Sequence, residues 1–247
     1  MNDPVPTPPV IPPGSSVRDS TPPSPPGFDP TDQVPVTGGF GVIEAILRQP
    51  RRVVFQLRHS AAATLILLLF LIATLAGAIY GLVVGTFSGG AQLWAAPVKI
   101  ALGLLLSGLI CLPSLYIFSC LAGSQARLVE VCGLVAGLLA LITILLIGFA
   151  PVAWVFSQSI DNLAAMGALH LGFWVIATYF GVRFLNSGFG YLNERTGGGL
   201  KVWVVVFLLV MLQMSTALRP ILGKSDKLLP SEKKFFLSHW AECLRRE

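Results

Sequence analysis

The sequence predicts an all-α, polytopic membrane bundle of about five transmembrane helices, preceded by a disordered N-terminal tail. Three observations carry this. Of 247 residues, 54% are hydrophobic and only 12% are charged, against about 25% charged in an average soluble domain. A water-soluble fold of this size could not cover its surface with so few charges. The mean hydropathy is +0.75, and the apolar residues are gathered into five long runs. Twelve of the eighteen prolines fall within the first 35 residues, so the chain divides near Gly38 and Gly39 into a polar, proline-rich segment and a lipid-soluble body.

Residues 1–39 form the tail. Pro4, Pro6, Pro8, Pro9, Pro12, Pro13, Pro22, Pro23, Pro25 and Pro26 alternate with Ser, Thr and Asp. Proline removes backbone donors and fixes φ, and the segment has little to bury, so it is expected to stay disordered with polyproline II character. Pro6 with Pro9, and Pro22 with Pro25, each satisfy P-x-x-P, a pattern that docks on aromatic-lined grooves; a solvated spacer is the simpler reading. No basic start with an early apolar run is present, so no cleavable signal is expected. The first apolar run then acts as an uncleaved anchor.

Residues 40–60 make an amphipathic juxtamembrane segment. Ile43, Ile46, Leu47, Val54 and Leu57 can share one helical face, while Glu44, Arg48, Arg51, Arg52 and Arg58 fall mostly elsewhere. Pro50 divides the segment into two short helical pieces. An apolar stripe beside arginines, directly before a span, suits the headgroup layer of an anionic leaflet, with Arg48, Arg51 and Arg52 at the interface. A packed cytosolic helix pair is the alternative.

The bundle is expected over 61–218, with spans at 61–85, 98–121, 128–156, 163–182 and 202–218. About 20 residues cross the hydrocarbon core at 1.5 Å per residue, and lipid requires every backbone donor to be satisfied within the segment, so these runs must be helices. The charges within or beside them are few: Lys99 and Glu130 at edges, His170 inside the fourth. Gly77, Gly81 and Gly85 recur every fourth residue in the first span, and Gly133 and Gly137 form another G-x-x-x-G in the third. Such spacing puts glycines on one face and admits a close neighbour. Pro113 and Pro151 lie inside spans and are expected to kink them.

Positive charge sets the orientation. With the N-terminus cytosolic, the inner segments hold Arg18, Arg48, Arg51, Arg52, Arg58, Arg127, Arg183, Arg195 and Lys201. The outer side holds Lys99 and seven basic residues of the tail from Arg219 to Arg246. That count is nearly balanced. The loops at 86–97 and 157–162 carry no Lys or Arg, and the arginine cluster precedes the first span; both favour N-terminus inside and C-terminus outside. In the amphipathic tail, 219–247, Phe236, Trp240, Cys243 and Leu244 line one face of a helix starting near Pro230, which places Trp240 at a membrane interface.

The inventory for chemistry is thin. His59, His170 and His239 are scattered, and Cys111, Cys120, Cys132 and Cys243 show no metal-binding spacing. No P-loop, G-x-S-x-G, H-E-x-x-H or intramembrane aspartate pair is present. The expectation is therefore a non-enzyme with no catalytic residue, no metal, no cofactor and no nucleic-acid partner. His170 and Glu130 are the candidate intramembrane polar groups. His170 reads most simply as a hydrogen bond to a neighbouring helix. Glu130 stands one turn from Arg127 and is expected to pair with it or snorkel.

At the end of the last run, residues 213–223 read Q-M-S-T-A-L-R-P-I-L-G. This resembles the Q-x-S-W-x-L-R-P-F-x-G signature that ends several uncharacterised bacterial multi-span membrane proteins. Gln213, Leu218, Arg219, Pro220 and Gly223 match, while Thr216 stands where Trp is usual and Ile221 where Phe is usual. The five-span plan with a proline-rich leader also resembles the wider Yip-like family, although the D-L-x-G-P motif of its eukaryotic trafficking members is missing before the first span. The resemblance implies a bacterial inner-membrane protein without an assigned reaction. Together these readings lead to an expected membrane scaffold or accessory subunit, bound to lipids and to membrane or cytosolic proteins. The alternative is a small-solute transporter or channel using His170 and the kinked second and third spans.

Overall fold

The computed structural model describes residues 32, 34–58, 62–88, 90, 92–121, 123, 125–159, 163–192 and 198–217. Among them the only regular elements are seven helices: α1 (Gly38–Arg48), α2 (Pro50–Leu57), α3 (Ala62–Ser88), α4 (Gln92–Leu121), α5 (Leu128–Ser159), α6 (Leu163–Tyr191) and α7 (Gly198–Ala217). The proline-rich leader before Asp32 and the tail after Ala217 lie outside the described residues.

Four helices, α3 to α6, are long and apolar enough to cross a membrane. The fifth apolar run forms α7, whose apolar stretch, Gly199–Met214, is shorter than those four. Each of the four begins before or ends beyond the corresponding apolar run. The segment 86–97, expected as a loop, is mostly helical: α3 continues to Ser88 and α4 starts at Gln92, with Pro97 inside it. Likewise α6 runs on through Arg183 to Tyr191. A helix carries its backbone hydrogen bonds internally, so it need not stop where the apolar residues do. Both α4 and α5 continue as single helices through Pro113 and Pro151.

α5 is the central element. Val131 and every residue from Gly133 to Thr143 are buried, so this stretch is covered on all sides, as a helix apolar all round requires. It packs along α3 and α6 and touches α4; α3 also packs along α4, and α7 lies on α4. The α3–α4 contact is a close backbone approach. Gly81 faces the Pro97 backbone, and Gly77 faces Ala101 one turn away. The α4–α7 contact is fastened by the Trp203 indole N–H, which donates to the Cys111 carbonyl at 2.9 Å while its ring stacks on Phe207.

The short helices correct one expectation. Pro50 is the first residue of α2, and the break falls at Gln49, as the sequence predicts. The five apolar residues assigned to one headgroup-facing stripe, however, do not share one environment. Ile46, Val54 and Leu57 are buried against the bundle, together with Val42, Ala45 and Val53, whereas Leu47 is exposed. Both helices pack on α3 and α5, and α2 also on α6. The covering partner of the stripe is protein.

Candidate functional site

Two polar clusters stand out in a largely apolar bundle, which also buries Lys99. One is inside it. The Tyr80 hydroxyl of α3 and Nδ1 of His170 on α6 are 2.6 Å apart, and both side chains are buried. Which atom carries the proton depends on the imidazole tautomer. The rings of Phe173 and Phe149 stack 4.7 Å apart next to His170, with Phe173 edge-on to the imidazole. His170 Nε2 and Thr178 Oγ1, both on α6, are buried without a hydrogen-bond partner among the described residues. In hydrocarbon, the Tyr80–His170 bond is a polar tie between two helices that are distant in sequence. It realises the expected helix-to-helix role of His170, through a tyrosine that the sequence reading did not single out.

The second cluster closes the end of the bundle where α2, α5 and α6 meet. Glu130 is the third residue of α5. Its Oε2 accepts from the Arg127 backbone N–H at 3.0 Å, and Oε1 accepts from the Arg127 guanidinium at 3.1 Å. This is one arm of a capping box, in which an N3 glutamate reaches back to the N-cap amide. The same guanidinium donates to the Arg58 carbonyl, and Arg58 in turn donates to the Leu192 carbonyl at the end of α6. Arg51 sits 4.7 Å above the Tyr191 ring. Cations at a helix C-terminus complement the exposed carbonyls and the macrodipole there. Glu130 and Arg127 thus pair as the sequence predicts, and Arg127 and Arg58 together link the ends of α5, α2 and α6.

The other candidates divide by location. Gly77 and Gly81 admit the backbone of α4, while Gly85 is buried. Gly133 receives the Leu57 side chain of α2, and Gly137 receives the Phe184 ring of α6. The second glycine pair therefore makes holes for side chains. Arg48 pairs with Glu44 on the surface at 3.3 Å, and Arg52 donates to Gln49 and to the Val34 carbonyl. Gln213 is exposed on α7. Leu218, Arg219, Pro220, Gly223 and Trp240 lie outside the described residues.

Lys99 requires correction. Expected at a span edge, it is buried within α4, because α4 begins seven residues before it. Among the described residues no group of three His, Cys, Asp or Glu side chains is placed to hold a metal ion. Tyr80 and Thr178 were missed as site residues. The available signal for Tyr80 was a hydroxyl between Gly77 and Gly81 on a span with no charge.

Fold and clusters together define a helical bundle of membrane-spanning character, tied at one end by arginines and inside by a tyrosine–histidine bond. No protein-family model matches the chain, and comparison with curated proteins and with solved structures finds no match.

Proposed function

We propose that this chain is a non-enzymatic integral membrane scaffold or accessory subunit, which presents its proline-rich leader to partners on the cytosolic side. The observation that supports it most is the anchoring of the leader's base. Arg52 donates through Nε and Nη2 to the Val34 carbonyl, and Val36 packs against the core. The leader thereby leaves the bundle from a fixed point beside α2, and α2 is seated on α5 and α6. Five crossings, with α7 as the last, put the leader and the basic tail on opposite sides, and the arginines before α3 put the leader inside. α7 has 20 residues, about 30 Å of helix at 1.5 Å each, enough for the hydrocarbon core. The resemblance at 213–223 supports a bacterial cytoplasmic membrane as the location.

Copurification after mild detergent extraction tests this reading. The full chain is expected to bring down a partner that a chain lacking residues 2–31 does not, with both eluting as folded species. A single monodisperse species without partner, and no phenotype on the deletion, would overturn it. The second reading, a small-solute transporter, is favoured by the buried Nε2 of His170 beside the Tyr80 bond. Flux in proteoliposomes that survives His170→Ala would remove that residue from any transport mechanism.

A further inference from the structure

α1 has three kinds of flank, and the bundle uses only one. Val42, Ala45 and Ile46 point into the core. Glu44 and Arg48 form a surface ion pair; Glu44 stands one turn from both Phe40 and Leu47 and borders their face, and Arg48 is turned further from it. On the third, Phe40 and Leu47, seven residues apart and so nearly eclipsed along the helix, are 92% and 46% exposed, with Ile43 half-buried between them. An aromatic and a leucine left open beside a charged flank are what an interfacial helix presents to lipid.

The depth of α1 in the bundle says what covers that edge. Ile46 lies against Gly137 and Leu57 against Gly133, nine and five residues from the first residue of α5. At 1.5 Å per residue these contacts sit about 14 Å and about 8 Å along α5. The 32 residues of α5 measure about 48 Å, against about 30 Å of hydrocarbon, so a centred α5 extends about 9 Å beyond the core at each end. Leu57 is then level with the headgroups, and Ile46 lies about 5 Å below the acyl boundary, the depth at which amphipathic interfacial helices lie. The same rim carries Arg48, Arg51, Arg52, Arg58 and Arg127 against Glu44 and Glu130, a net positive charge suited to anionic headgroups.

We propose that the Phe40–Leu47 flank of α1 is a lipid-docking edge: both side chains enter the acyl layer of an anionic leaflet while the surrounding arginines face its phosphates. The packed stripe of α1 and α2 and this open flank are distinct surfaces, one bound to protein and one to lipid. The inference does not depend on the leader having a partner.

Spin labels on the full chain test it. Phe40→Cys, Leu47→Cys and Arg48→Cys, each in a background without the native cysteines, are labelled and reconstituted into vesicles of phosphatidylcholine alone or mixed with phosphatidylglycerol. Labels at 40 and 47 are expected to collide with oxygen and to be shielded from a water-soluble nickel chelate. The label at 48 is expected to show the reverse, and immersion at 40 should deepen with phosphatidylglycerol. Chelate access at 40 and 47 equal to that at 48 would overturn the docking edge. Immersion indifferent to phosphatidylglycerol would overturn the anionic preference. All three positions are exposed or on the surface, so the bundle should fold in each variant, and a failed scaffold test leaves these readouts unchanged.

Discussion

Replacing Gly81 by alanine places a methyl group 2.5 Å from the Cα of Pro97, 2.9 Å from its nitrogen and 3.0 Å from the Ala96 carbonyl oxygen. Carbon atoms pack best at about 3.5–4.0 Å, so the α4 backbone must retreat by about 1 Å. No rotamer change can absorb this, because the obstructing atoms are main chain. Gly77→Ala, one turn earlier on the same face, is the internal control: its methyl would meet Ala101 and Thr143 at 3.5 Å, an ordinary contact. Both substitutions change helix propensity alike, so that contribution cancels in their difference. What remains is the overpacking cost, about 1–3 kcal/mol, or roughly a five- to 150-fold shift in the unfolding equilibrium at 1.4 kcal/mol per decade. Unfolding by sodium dodecyl sulfate in mixed micelles measures it. Gly81→Ala is expected to unfold at clearly lower denaturant than Gly77→Ala. Equal midpoints for the two variants would refute the close approach of α3 and α4.

The internal and rim clusters yield two further expectations. Tyr80→Phe removes a buried hydrogen bond and leaves Nδ1 of His170 without its partner, at an expected cost of about 1 kcal/mol. A double-mutant cycle with His170→Phe should show coupling of that order, and zero coupling would contradict the bond. Glu130→Ala removes both the capping acceptor and the ion pair, whereas Glu130→Gln keeps an acceptor for the Arg127 amide. The alanine variant should lose about 1 kcal/mol, and the glutamine variant less, since the Arg127 partner is largely exposed and its pairing contributes little. Equal losses in the same unfolding assay would show that the cap is not the working contact.

The helical character was legible because uncharged runs near 20 residues leave the backbone no other way to satisfy itself. Pro50 announced its own break, since proline lacks the donor that a continuing helix would need. Helix ends were not legible from hydropathy: residues 183–191 are polar enough to lie outside an apolar run, yet they extend α6 to reach Arg51 and Arg58. The partner of the α1–α2 stripe was equally hidden, because an apolar face beside arginines reads alike whether lipid or protein covers it. The glycine spacing in α3 and α5 pointed to packing without saying against what. Gly81 meets a backbone, while Gly133 and Gly137 meet Leu57 and Phe184, partners far away in sequence. Tyr80 and His170 stand 90 residues apart, and nothing local in either span indicates the other.

The central proposal is a bundle of five crossings that separates the proline-rich leader from the basic tail. The chain directions support it: Gly199 lies near Phe118 and Trp203 near Cys111, so α7 runs antiparallel to α4. Labelling with a membrane-impermeant maleimide tests the claim most directly, in two chains that each carry one cysteine, either native Cys243 or Ser15→Cys. The account predicts that Cys243 reacts from outside intact cells and that position 15 reacts only in inverted vesicles. Labelling of Cys243 from the cytosolic side, together with position 15, would contradict it.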